Sequence, residues 1–143
     1  MAESNRHEAA DRIHSAAIHL LRRVREVDAE AMALSPARAS ALSVLVFGGA
    51  RSLTELADAE RVTAATMSKL VTALEREGLV RRHPDVNDAR AIRIEATAKA
   101  RRILERGRAS RLDLLERLLS EATDDEVEAV RVAAEAVERT LHA

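Results

Sequence analysis

Apolar positions near the amino end fall at Ile13, Ala17, Leu20, Val24, Val27 and Ala31, steps of four and three that draw one stripe along a helix. Such a stripe needs a partner surface. The helix is expected to break at Leu34-Ser35-Pro36, where the Ser35 hydroxyl can cap a second helix and Pro36 suits its first position, having no N–H to lose. That second helix should run to Phe47 and end at Gly48-Gly49. Ser52 followed by Glu55 has the spacing of a capping box, which predicts a short third helix over 53–60. After a brief turn through Arg61 and Val62, Thr63 can cap a fourth helix that runs to Glu77 and is stopped by Gly78. Its packed face carries Leu70, Val71 and Leu74, with Met67 placed in the core beside them. Two short helices joined by a tight turn make a helix-turn-helix candidate.

Past Gly78 the period shortens. Leu79–His83 and Ala91–Glu95 alternate as strands do, and they flank a polar segment over 84–90. This predicts a β-hairpin whose tip is longer than the usual two to five or so residues, which points to a role for the tip beyond connection. Thr97 can cap a long fifth helix with apolar positions at Ala100, Ile103, Leu104, Gly107, Leu114, Leu115, Leu118 and Leu119, a stripe that Arg111 interrupts. Thr123 and Glu126 form a second capping box, and the helix behind it sets Val127, Val130, Ala134, Val137 and Leu141 at steps of three and four. The expected fold is mainly α with a small β-hairpin wing: a winged helix-turn-helix over 35–97, flanked by helices over 1–34 and 98–143 that pack within one chain or pair with a second copy.

Composition agrees with helix. The 143 residues include four Gly, two Pro and one aromatic, Phe47, with 47% hydrophobic and 33% charged residues, a globular balance. Cysteine is absent, which removes disulfides, thiolate catalysis and thiol redox sensing from this chain. The formal net charge of −1 hides an uneven distribution. Residues 1–50 carry six basic and six acidic side chains, 51–102 eleven and eight, and 103–143 six and ten, so the only basic excess, +3, lies in the middle third. No apolar run approaches the roughly 20 residues of a membrane span, and the first residues lack a signal-peptide core, so a cytoplasmic protein without membrane partners is expected.

The stretch TELADAERVTAATMSKLVTALEREGLVRR, followed by DARAIRIEAT, resembles the core of the MarR family of bacterial winged-helix regulators, and the order of six helices and one hairpin extends the likeness over nearly the whole chain. Its most specific element is Asp88-Ala89-Arg90 in the hairpin tip, similar to the family's Asp-x-Arg wing signature. The resemblance implies a homodimeric regulator of transcription, most often a repressor, that binds a pseudo-palindromic operator in double-stranded DNA and is released by a small ligand. Ala96 departs from the family pattern, where Leu is usual, and Ala100 stands where Gly is frequent; the first should loosen packing behind the wing.

The residues suit that reading. A helix entering the major groove needs small and polar side chains at its leading turn, and here Thr63, Ala64, Ala65, Thr66, Ser68 and Lys69 supply them. Against this stands the plainer reading of Thr63 as an N-cap, with Thr66 and Ser68 on a solvated face. An arginine at a hairpin tip can enter the minor groove, where an A·T tract concentrates negative potential, which nominates Arg90. Alternation nominates Arg82 and Arg93 as the outward pair for phosphates, leaving Arg76 an ordinary solvated side chain. The resemblance implies that Asp88 orients the wing through a salt bridge to a nearby arginine.

For the dimer, which the family builds from its first, fifth and sixth helices, the candidates are Ile13, Leu20, Val24, Leu114, Leu118, Val130, Val137 and Leu141. The resemblance implies a small lipophilic or phenolic effector in a cleft between the dimer helices and the DNA-reading lobe, with His14, His19 and Arg22 as candidate contacts. The five histidines are scattered without the spacing of a zinc site, and no nucleophile motif or phosphate loop is present, so neither a metal, a cofactor nor an enzyme is expected. The rival reading is a winged-helix adaptor that binds a protein partner without specific DNA affinity.

Overall fold

The computed structural model describes residues 2–142. Its elements are α1 (Ala2–Met32), α2 (Pro36–Gly48), α3 (Leu53–Glu60), α4 (Ala64–Arg76), β1 (Val80–Pro84), β2 (Ile92–Ala96), α5 (Ala98–Leu119) and α6 (Asp124–Leu141). Every predicted cap forms. The side-chain oxygens of Ser35, Ser52, Thr63, Thr97 and Thr123 each accept a backbone N–H three residues on, and the boxes at Ser52/Glu55 and Thr123/Glu126 are reciprocal. Each such cap is worth about 1 kcal/mol to its helix. Gly78, at φ +72°, makes the sharp exit from α4 that a residue with a Cβ disfavours.

The core lies inside the winged lobe. Leu42, Leu45, Leu56, Met67, Val71, Leu74, Leu79 and Ile94 are fully buried, so α2, α3, α4 and the hairpin converge on one apolar centre. Burial of side chains this size contributes about 1.5–3 kcal/mol each. The strands pair antiparallel in the register Val80↔Ala96, Arg81↔Glu95, Arg82↔Ile94, His83↔Arg93 and Pro84↔Ile92. Arg51 adds a bridge to the outer edge: its N–H donates to the Ile94 carbonyl at 3.0 Å and its carbonyl accepts from the Ile94 N–H at 2.7 Å. Ala96 and Ala100 are both buried.

Beyond the lobe, α5 packs chiefly on α1. Gly107 allows that crossing, since a Cβ there would meet Met32 Sδ at 2.6 Å. One turn away, Arg111 donates to Asp28 Oδ1 at 2.6 Å, which explains why an arginine interrupts the apolar stripe of α5. The remaining helical surface lacks cover. Ile13, Ile18, Leu20 and Leu21 on α1 are exposed, and α6, although amphipathic, buries none of its residues. Among the described residues no single helix is long and apolar enough to cross a membrane.

Candidate nucleic-acid interface

The packed face of α4, Met67, Leu70, Val71 and Leu74, fixes the opposite face. At helical spacing that outer face carries Ala65, Lys69, Thr72 and Arg76, flanked by Thr66 and Ser68. The leading turn has no acidic residue, in contrast to α6, whose first turn holds Asp124, Asp125 and Glu126. The partial positive charge of the α4 N-terminus is therefore left for an external anion.

Thr63 belongs to the cap. Its Oγ1 accepts from the Thr66 N–H at 3.1 Å and its hydroxyl donates to Thr66 Oγ1 at 3.0 Å, so its hydrogen-bonding is spent inside the protein while the Thr66 proton stays free to donate outward. Ala64 and Ala65 are exposed, and Lys69 and Arg76 have no ionic partner among the described residues. Arg76, which sequence reasoning set aside, shares one face with Lys69 seven residues earlier; helical spacing alone could have found it.

The pairing of Arg82 with Arg93 as outward phosphate ligands needs correction, because the register puts them on opposite faces of the hairpin. Arg82 shares a face with Val80 and Ile94 and leans onto α4, with a guanidinium nitrogen 3.4 Å from Thr72 Oγ1 and Nε 3.5 Å from a Glu75 carboxylate oxygen. Arg93 lies on the other face, with Arg81, His83 and Glu95, and is engaged within the chain. It donates to the Ala50 carbonyl at 2.7 Å and to Glu55 at 3.2 Å, and its Nε lies 3.5 Å from Asp85 Oδ2. It braces the wing against α3 and the residues before it.

Asp88 differs from expectation too. No arginine reaches its carboxylate among the described residues; it acts locally, Oδ1 accepting the Arg90 N–H at 3.0 Å. The carboxylate that orients the wing by an ion pair is Asp85, which holds Arg93 and also accepts from the N–H groups of Asn87 and Asp88 at 2.8 and 3.3 Å. These bonds shape the tip, from which Val86 projects almost wholly exposed and on which the exposed Arg90 guanidinium has no partner among the described residues. On the far face of the hairpin Arg81 pairs with Glu95 at 2.8 Å. The hydrogen bond from Arg81, joined by the nearby charges of Arg81, His83 and Arg101, holds the Glu95 carboxyl below the ordinary range against the opposing effect of burial. His83 Nε2 lies 3.3 Å from Glu95, near enough for attraction when the ring is charged but misaligned for a hydrogen bond.

A cleft of about 410 Å³ opens between α1, α2 and α5. Met32, Val46, Phe47 and Leu104 give it an apolar wall, and Arg101, Arg108 and Arg111 face it with Asp28 and Glu105. With Arg111 held by Asp28, Arg101 and Arg108 make no ion pair among the described residues, although the Arg101 charge also bears on Glu95. His14 and His19 stand exposed on α1 and do not line this cleft; Arg22 borders only a shallow surface groove with Ile18 and Leu21. Of the candidate dimer residues, Ile13, Leu20, Leu118, Val130 and Leu141 are exposed and Val24 and Val137 half-buried, whereas Leu114 is covered by its own chain.

With this geometry in place, comparison with known proteins is informative. The MarR family model matches residues 34–92. A MarR family protein from Bacillus stearothermophilus, 25% identical, superposes with a TM-score of 0.81 over 100% of this chain and 99% of that one. A putative transcriptional regulator from Pseudomonas aeruginosa is 27% identical, with a TM-score of 0.76 over 96% of each chain. The fold is shared also by a mutant of S. aureus MepR bound to an oligodeoxyribonucleotide, 18% identical, with a TM-score of 0.73 over 93% of this chain and 97% of that one. Comparison with curated proteins finds no match.

Proposed function

We propose that the chain, whose residues 34–92 match the MarR family model and which superposes on a MarR family protein, is a homodimeric, non-enzymatic repressor of transcription that binds a pseudo-palindromic operator. The observation that carries the reading is the surface of α4 and the wing. A helix N-terminus free of acidic residues, an outer face with two cations and a hydrogen-bonded tip bearing an arginine, all three without an ionic partner among the described residues, suit a polyanion. In this reading Ala64, Ala65, Thr66, Ser68 and Lys69 approach base edges and phosphates, Arg76 and Arg82 face the backbone beside them, and Arg90 enters the minor groove. Thr63 and Asp88 shape the leading turn and the tip, while Arg93 acts through the wing's position.

Two copies are needed because one helix and one wing span only a few base pairs. Support for a dimer comes from the uncovered apolar stripes of α1 and α6, which an isolated protomer would leave in water. The terminal segments 1–34 and 98–143 then form the dimer unit and 35–97 the reading unit. The effector reading moves from His14, His19 and Arg22 to the α1/α2/α5 cleft, where an apolar wall and two arginines without an ion pair among the described residues suit a small amphipathic anion.

Selection of duplexes from random-sequence DNA, followed by titration of the recovered sequence at several salt concentrations, tests the proposal. An inverted repeat is expected, with log K falling by about 0.9 per neutralised phosphate against log salt. Enrichment of no sequence, with only weak binding that vanishes as salt rises, would favour the protein-binding adaptor.

A further inference from the structure

The recognition helix is joined at its leading end to α3 alone, where the Val62 N–H donates to the Ala57 carbonyl at 3.0 Å, and is tied to the helices outside that pair only at its other end. On its inner side Met67, Val71 and Leu74 make apolar contacts, which resist separation but have little directional preference. Its C-terminal end is held by directed bonds from two other helices. Lys99 Nζ on α5 donates to the Glu77 carbonyl at 2.8 Å, the Thr97 hydroxyl donates to the Gly78 carbonyl at 2.7 Å, and the Thr97 N–H donates to the Leu79 carbonyl at 3.0 Å. From α2, Arg38 pairs with the Glu77 carboxylate.

We propose that Lys99, with the Thr97 and Arg38 contacts around it, is a positioning residue that sets the angle of the recognition helix relative to the dimer unit. The proposal rests on the dimeric DNA-binding reading above and adds where that geometry is fixed. α5 is itself joined to α1 by the Met32–Gly107 contact and the Asp28–Arg111 bond, so the clamp ties α4 to the α1/α5 pair. Thirteen helical residues extend about 20 Å, so a 5° swing about the clamped end moves the leading turn by roughly 1.7 Å. On an operator with two half-sites, that shift appears in both copies and changes the separation of the two helices.

Lys99 is exposed and Lys99→Met keeps its aliphatic stem, so the variant should fold. Affinities are measured on the selected duplex, on a duplex with a single half-site, and on full sites with one or two base pairs inserted at the centre. For Lys99→Met the full-site affinity should fall about three- to tenfold, as expected for losing one charge-assisted hydrogen bond near the surface. The penalty for inserted base pairs should shrink, half-site affinity should match the wild type, the thermal midpoint should fall by no more than the few degrees that one exposed hydrogen bond is worth, and Lys99→Arg should restore both the midpoint and the spacing preference. A spacing profile identical to the wild type overturns the inference. So does an equal loss on half and full sites with a salt slope lower by about 0.9 per contact, since that identifies Lys99 as a phosphate ligand. A wild-type protein that selects no duplex overturns the regulator reading and this inference with it.

Discussion

Replacing Arg90 by alanine separates DNA contact from folding, because the Arg90 guanidinium makes no hydrogen bond or ion pair among the described residues. Its backbone N–H still reaches Asp88 Oδ1 in the variant, so the tip keeps its shape. The folding free energy should therefore change by less than about 0.5 kcal/mol, as for a surface substitution that breaks nothing. In the proposed dimer the DNA contact is lost twice, once per wing. Taking about 1 kcal/mol for each arginine at the lower end of the usual range gives about 2 kcal/mol, or roughly a 30-fold weaker operator complex. If each arginine also displaces one counterion, the salt slope should flatten by about 1.8. Fluorescence anisotropy on the selected duplex at four salt concentrations, beside a thermal melt of the free protein, reads all three quantities. Arg90→Lys is the companion: it keeps the slope but loses the guanidinium geometry and with it part of the preference for A·T flanks. An unchanged affinity and slope for Arg90→Ala, or a fall in the melting midpoint, would refute the assignment of the wing tip to DNA.

Arg93→Ala should do the converse, lowering stability by about 1–2 kcal/mol, mostly through the lost bond to the Ala50 carbonyl, since the half-exposed Glu55 pair adds little; the salt slope per complex should stay as in the wild type. Leu118→Asp or Val130→Asp should dissociate the dimer by placing charge on an uncovered apolar stripe, whereas Leu114→Ala should cost about 2–4 kcal/mol of protomer stability, both distinguished by sedimentation and thermal melts. Glu95, whose carboxyl is lowered first by the Arg81 hydrogen bond, stabilises the folded wing above its unfolded value, near 4.5, and that contribution disappears as pH falls through the lower folded value. Glu95→Gln should therefore flatten the acid limb of a stability–pH curve and leave neutral-pH binding unaffected.

Local signals in the sequence were sufficient for the fold. Caps at Ser35, Ser52, Thr63, Thr97 and Thr123 act within three residues, and Gly78 needs only its own backbone angle, so each was legible without tertiary information. The wing's wiring was not, because Arg93 finds Glu55 and Ala50 across about forty residues of chain. Alternation gave the faces of each strand separately, but only the register Arg82↔Ile94 shows that Arg82 lies on the side that meets α4. Asp85 and Asp88 are three residues apart and chemically alike, and the choice between them depends on where Arg93 points. The cleft draws on Asp28, Phe47 and Arg108 from three helices, a juxtaposition no local pattern encodes. Leu114 and Leu118, neighbours on one stripe, part company because only the first is covered by its own chain.

Hydroxyl-radical footprinting of the wild-type protein on its selected duplex measures the central arrangement directly. Two protected stretches related by a dyad, with centres about one helical turn or roughly 10 base pairs apart, and flanking minor-groove protection that disappears in Arg90→Ala, are the predicted result. One unbroken or asymmetric stretch at a stoichiometry of one protomer per duplex would contradict it.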